Sequence, residues 1–239
     1  MKVEELSPSE VNTFYECRRK WFFRKSGRTG IVVDTEAMEF GRLVHDIISN
    51  YFVRISPNPT ATEIEETLET LFKEQQDLVP RRYRRKYFEI LGNLKDFEVQ
   101  RLRTWKQFKP DFVEVKVEAK PFKDLPKLVG VVDFYDATDG VLLDWKTGAS
   151  DEDSYLRQAS IYKLMLREKG YPVNRVLFLS LSTGRALTIP NVTEGWVYRV
   201  LRSVVDALEA ENFFPNPGPR CRGCEYVLDC QLSGGCLWR

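Results

Sequence analysis

The sequence predicts an α/β fold. Three observations carry that expectation: a capped helical N-terminus, a switch from helical to strand period at Phe112, and a strand pair joined by a four-residue turn with a helix directly after it. With 239 residues, 43% hydrophobic and 30% charged, the chain has material for a buried core, and its composition excludes disordered and collagen-like classes. It contains no internal repeat, low-complexity run or Gly/Ser linker, and reads as a single domain over 1–239. No stretch approaches the ~18 apolar residues of a membrane helix, and MKVEELSPSE carries acids where a signal peptide would be basic and then apolar. A soluble, cytoplasmic protein is expected, with no membrane partner.

Ser7, Pro8 and Glu10 make a capping box, opening a helix expected to run from about Pro8 to Lys25. A second helix, about Glu36 to Phe52, holds the chain's one histidine, His45, and ends before Ser56-Pro57-Asn58-Pro59. Thr60 to Phe108 reads as two or three helices, the later one basic. In Phe112 to Ala119, Val113, Val115, Val117 and Ala119 share one face and the polar residues the other, which is strand alternation. Lys127 to Asp136 and Val141 to Thr147 flank Ala137-Thr138-Asp139-Gly140 as a hairpin. A helix follows over about Asp153 to Lys169, then a strand pair over Val176 to Leu181 and Arg185 to Ile189, then a helix over Thr193 to Asn212.

The hairpin register carries chemistry. It sets Asp133 opposite Asp144, puts Lys146 on the face of Asp144 and sends Trp145 to the other. Cross-strand neighbours lie about 5 Å apart, so two carboxylates and an amine converge. Opposed carboxylates repel unless a cation lies between them, and hard oxygens suit Mg²⁺ or Mn²⁺. The bland alternative is a shifted register with both acids in water. On the next helix, Gln158 and Tyr162 share a face close to this point.

Net charge is +1, but between Arg81 and Lys109 ten basic residues stand against three acids, and residues 18–28 add six cations and no acid. Interleaved with Tyr83, Tyr87, Trp21, Phe22 and Phe23, these segments fit either a nucleic-acid path that follows phosphates and stacks bases, or a solvated helix face. Arg81, Arg82, Arg84 and Arg85 are the densest part of it. Of five cysteines, Cys221, Cys224, Cys230 and Cys236 crowd a tail after Pro215-Asn-Pro-Gly-Pro219. The spacing Cys221-x₂-Cys224-x₅-Cys230 is that of metal or cluster ligands, with Cys236 or Cys17 available as the fourth. Spacing alone leaves zinc and an iron–sulfur cluster both open.

Taken in order, Gly41-Arg-Leu-Val-His45, Gly130-Val-Val-Asp133, Asp144-Trp-Lys146-Thr-Gly and Gln158-Ala-Ser-Ile-Tyr162 resemble the RecB-like branch of the PD-(D/E)XK nucleases. Cys17 with the C-terminal cysteines resembles the iron–sulfur members of that branch, which include the CRISPR-associated exonucleases and the nuclease domains of repair helicase–nucleases. The resemblance implies a restriction-endonuclease-like core, with a central mixed β-sheet flanked by helices. It also implies a basic helical insertion over about 60–109 and a cysteine-rich cluster-binding segment over 215–236 joined by Cys17.

By the same resemblance, His45, Asp133, Asp144 and the Trp145 carbonyl hold Mn²⁺ or Mg²⁺, with the imidazole favouring Mn²⁺. Lys146 is the catalytic lysine, Gln158 and Tyr162 support the site and the DNA strand, and Cys17, Cys221, Cys224 and Cys230 hold a [4Fe–4S] cluster. Cys236 is then spare, and Glu118 is an accessory acid or merely exposed. The implied activity is metal-dependent hydrolysis of single-stranded DNA or DNA ends, with CRISPR adaptation proteins as partners. Repair or viral recombination is the alternative setting. A zinc-stabilised nucleic-acid-binding module without catalysis is the alternative of another class, and no phosphate-binding GxxxxGK[ST] is present.

Overall fold

A computed structural model describes residues 3–31, 35–148 and 151–232. In chain order the elements are β1 (Glu5–Leu6), α1 (Pro8–Glu16), α2 (Arg18–Lys25), α3 (Thr35–Arg54), α4 (Ala61–Gln75), α5 (Arg84–Thr104), β2 (Phe112–Ala119), β3 (Lys127–Asp136), β4 (Val141–Lys146), α6 (Glu152–Glu168), β5 (Arg175–Ser180), β6 (Arg185–Thr188), α7 (Glu194–Glu209) and α8 (Val227–Leu232), with short 3₁₀ turns before α5 and α8. The sheet is mixed. Along one edge β3 pairs antiparallel with β2; its other edge is shared by β1, parallel at Leu6↔Leu128, and β4, antiparallel from Phe134↔Leu143 to Asp136↔Val141. β5 runs parallel to β4, and β6 closes the order antiparallel to β5.

Alternation along the strands builds two cores. Leu142, Val176 and Phe178 face a core with α1, α6 and α7; Val141, Leu143, Trp145, Leu177 and Leu179 face one with α3, α4 and α5. The α/β class and the helix-flanked mixed sheet are as expected, and the helices of the basic region cover one sheet face in the same core as α3. The hairpin turn also forms: the buried Asp136 carboxylate accepts from the Thr138 and Asp139 N–H groups, and Gly140 supplies the left-handed backbone (φ +62°).

Three local expectations are overturned. The first helix is two, because Cys17 is extended (φ −162°, ψ 112°), at once the end of α1 and the start of α2. The capping box itself is present, with Glu10 N–H on Ser7 Oγ at 3.2 Å and Ser7 N–H on Glu10 Oε2 at 2.8 Å. β2 does not keep one apolar face: Val113 packs with α3 and α5, Val117 and Ala119 with α6, and Val115 is exposed. The switch falls at Glu114, whose φ of +52° is rare for a side chain with a Cβ. β3 changes parity at the facing residue, Asp133: Val132 lies in one core, Phe134 in the other, and Tyr135 back in the first.

The third concerns residues 18–28. Trp21 and Phe23 are buried, as is Tyr87 in α5, and Phe22 stacks on Phe213 at 4.4 Å, so these rings are core and not base-stacking platforms. The cations bind the C-terminal segment and the first cap: Lys20 and Arg24 pair with Glu225, Arg28 with Asp229, and Lys25 with Glu10. Farther along, Arg101 is enclosed with Glu98 at 2.7 Å and unavailable to a ligand. Cys236 lies outside the described residues.

Candidate functional site

The expected register holds where β3 and β4 pair, and the ladder ends one step short of Asp133 and Asp144. There β4 departs from β3, and the Asp133 carboxylate replaces a ladder partner: its Oδ2 accepts from the Trp145 N–H at 3.0 Å. Trp145 is buried against Phe52 and Phe134, which fixes the peptide on which the site is built. Its carbonyl faces His45 Nε2 at 3.1 Å, and Glu114 Oε1 lies 2.7 Å from His45 Nδ1. Asp133 Oδ2 is 3.8 Å from the same Nδ1.

Among the described residues, His45, Glu114 and Asp133 are the one group of three whose ligand atoms all fall within 4.8 Å. Glu114 was missed in the sequence because alternation assigned it to a polar outer face. Its left-handed backbone turns it inward, and a strained φ beside the motif residues is the signal that exposes it. Glu118 lies elsewhere, its carboxylate between Lys116 and Lys127 at 2.7 and 2.9 Å, so it is no accessory acid here.

Asp144 stands outside that group of three. Its Oδ1 lies 2.5 Å from Lys146 Nζ, and its Oδ2 accepts from Gln158 Nε2 at 2.8 Å; Gln158 Oε1 in turn accepts from Lys146 Nζ at 3.2 Å. The Gln158 amide, nearly two turns into α6, thus locks both motif side chains. Tyr162, one turn on, lies against Gly130, where a Cβ would meet its ring at 2.7 Å. That contact explains the glycine three residues before Asp133: only a bare backbone lets α6 approach β3 so closely.

The donors fit a small divalent cation. An octahedral ion with ligands at ~2.1 Å has adjacent ligands about 3.0 Å apart, and the Trp145 carbonyl and His45 Nε2 are 3.1 Å apart. Glu114, held on Nδ1, leaves Nε2 as the ligating nitrogen, the usual arrangement for a metal-binding histidine. Glu114→Gln should therefore weaken Mn²⁺ binding about 10- to 100-fold by calorimetry; an unchanged affinity would leave Glu114 a bystander.

Burial of Asp133 and the charges around His45 favour the protonated forms of both. Burial, reinforced by the Asp144 charge, pushes Asp133 up to about 8, and burial also raises Asp144 against the pull of Lys146. Burial works against a charged His45, yet the Glu114 bond and the Asp133 charge carry it up to about 9. Folded pKa values above the unfolded ones mean that the native state binds more protons, so this part of the stability is lost as pH rises toward 9. Cation binding must displace the same protons and so strengthens with pH. The metal-free protein should melt at a lower temperature near pH 9 than near pH 6, and Mn²⁺ should raise the melting temperature more at the higher pH. Equal metal-induced shifts at both values would contradict this.

Cys17, Cys221, Cys224 and Cys230 line one hollow with Phe23 and Tyr226, so the structure gathers the expected four from both ends of the chain. Burial raises the Cys224 thiol. Among the described residues, no three of these sulfurs form a group within 4.8 Å of one another. Of the arginine cluster, Arg82 pairs with Glu36 and Arg85 with Glu89, each at 2.8 Å, while Arg81 and Arg84 face solvent. Tyr83 stacks on Phe40 at 4.6 Å, which seats the cluster at the end of α3 that leads to His45.

The chain belongs to the PD-(D/E)XK nuclease superfamily, which it matches over residues 5–231. Membership makes it a phosphodiesterase acting on nucleic acid, of a kind that typically uses a divalent metal. Among solved structures it is similar to the crystal structure of SSO0001, at 12% identity and a TM-score of 0.47 over 96% of this chain and 87% of that one. No curated protein matches. Among the described residues no helix is long and apolar enough to cross a membrane.

Proposed function

We propose that this chain is a metal-dependent deoxyribonuclease that degrades single-stranded DNA or DNA ends exonucleolytically, and that it processes DNA for CRISPR spacer acquisition. The observation that carries the nuclease reading is the split between β3 and β4, which gathers His45, Asp133, Glu114 and the Trp145 carbonyl beside the Asp144–Lys146–Gln158 lock. His45, Asp133, Asp144 and the Trp145 carbonyl are the proposed holders of Mn²⁺ or Mg²⁺, with Glu114 orienting His45. A bound cation supplies charge to a non-bridging phosphate oxygen and acidity to a water. Lys146, fixed by Gln158 and Asp144, presents its ammonium to the negative charge that develops at phosphorus. Tyr162 holds the α6 face against β3.

The thiols of Cys17, Cys221, Cys224 and Cys230 are the proposed ligands of a [4Fe–4S] cluster, supported by the hollow they share. The CRISPR setting rests on the ordered motifs combined with these cysteines. Deleting the gene from a host that acquires spacers should stop or mis-size new spacers; unchanged acquisition would move the enzyme to repair.

The activity is tested by incubating anaerobically purified protein with end-labelled single- and double-stranded DNA in Mn²⁺ or EDTA. Mn²⁺-dependent shortening from an end supports the proposal, and binding without cleavage in every lane overturns it. Arg81, Arg82, Arg84 and Arg85 are proposed as a phosphate-contacting patch. Reversing the four charges should weaken DNA binding and lower the slope of log affinity against log salt by about 2 to 4; unchanged affinity would return the patch to solvent.

A further inference from the structure

A cleft of about 950 Å³ runs from the site between α1, α6 and the C-terminal segment, with Lys146 and Gln158 at its inner end and Tyr15, Arg157, Asn216 and Arg220 along its walls. Beyond Tyr15 and Asn216, which the two spaces share, a hollow of about 350 Å³ continues to Phe214. Phe214 is 72% exposed and Tyr15 38%, two rings left open on a path that leads to the site. Tyr15 is held in place: its hydroxyl lies 2.7 Å from Ser203 Oγ on α7, and the Arg157 guanidinium sits 4.7 Å from its ring centroid while donating to Asn12 Oδ1 at 3.0 Å. A fixed ring against a guanidinium, followed by a second open ring, is a stacking surface for nucleobases.

The charges along the cleft set it apart from the arginine patch. Lys146, Arg157 and Arg220 are balanced by Glu16, Asp151 and Asp153, so the walls carry no net positive charge. A ligand bound here is gripped by its base faces more than by its phosphates. Stacked duplex bases do not offer those faces; a single strand does. The outer wall is attached beside the cysteine hollow: Asn216 donates its main-chain N–H to Cys17 Sγ at 3.5 Å and its amide to the Glu16 carbonyl at 3.1 Å.

We infer that this cleft binds the single-stranded stretch of nucleic acid leading to the cleavage site, through stacking on Tyr15 and Phe214. The inference rests on the nuclease reading for the direction of the strand and on the cleft itself for the binding. The test uses the whole protein in EDTA, a fluorescent oligothymidylate and a duplex of equal length, followed by anisotropy across a salt series. Phe214 is exposed, so Phe214→Ala should leave the melting temperature unchanged and weaken oligothymidylate binding about 10-fold. The salt slope and the duplex affinity should stay as they are, and Phe214→Trp should restore binding. Oligonucleotides carrying 5-iododeoxyuridine should crosslink to Tyr15 or Phe214. Undiminished binding by Phe214→Ala, or crosslinks confined to the Arg81–Arg85 patch, would overturn the inference. Stacking-dependent binding without metal-dependent cleavage would uphold the cleft and sink the nuclease reading; cleavage with binding indifferent to Phe214 would do the reverse.

Discussion

Asp144→Ala should abolish Mn²⁺-dependent DNA degradation, lowering the rate by about 10³-fold or more, while the protein still melts cooperatively. The Lewis-acid contribution of a bound metal is several kcal/mol, and each ~1.4 kcal/mol is tenfold in rate. Asp144 also anchors Lys146 at 2.5 Å and accepts from Gln158, so its loss frees the ammonium from its aim as well as removing a carboxylate from the metal site. Folding should survive, because burial makes the ionised carboxylate costly and the neighbouring core is built by Leu143 and Trp145 on the opposite face. Rates are compared under single-turnover conditions with DNA in excess of its affinity for each variant. Retention of more than about a tenth of the wild-type rate would remove Asp144 from the chemistry.

The second large effect is expected at Cys224. The segment that carries Cys221, Cys224 and Cys230 has little else to hold it: the core it shares with α2 contains Phe23, Tyr226 and Cys230 as its buried members. Its ion pairs, Lys20 and Arg24 with Glu225 and Arg28 with Asp229, are partly exposed, and such pairs contribute little. If four thiolates bind a cluster there, metal binding supplies most of the free energy that fixes the segment. Cys224→Ala should then purify colourless, expose the segment to protease and lose solubility, whereas wild type purified without oxygen should be brown. A colourless variant that is stable and fully active would contradict this role. Because Asn216 and Arg220 wall the cleft from the same segment, single-strand binding should fall with it.

Much of this was legible in the sequence where one local rule decides the outcome. Ser7, Pro8 and Glu10 fix a helix start because capping is a matter of three residues. The turn before Gly140 fixes the register that brings Asp133 and Asp144 to the same point, since a two-residue period leaves only two faces to choose from. The positions of Lys146 and Gln158 follow from that register and from the helix directly after it.

What stayed hidden depends on the sign of a dihedral or on distant packing. No pattern of residue types announces that Glu114 takes a positive φ, and alternation alone places this acid, which bonds His45, on the same outer face as Glu118, which two lysines engage. Cys17 interrupts a run with unbroken helical character, because the break serves a tail some 200 residues away in sequence. The basic stretches misled through composition: Arg101 is neutralised inside the core by Glu98, and Lys20, Arg24 and Arg28 by acids that only the fold brings near. The cleft beside α1 was invisible for the same reason, since its walls come from three separate parts of the chain.

The central claim is that the opening between β3 and β4 holds a catalytic divalent cation. Crystals soaked in Mn²⁺ and measured at the manganese absorption edge test it most directly. The expected result is an anomalous peak in contact with His45 Nε2, the Trp145 carbonyl and the Asp133 and Asp144 carboxylates, lost in Asp133→Ala. A peak elsewhere on the chain, or none at concentrations that support DNA degradation, would contradict it.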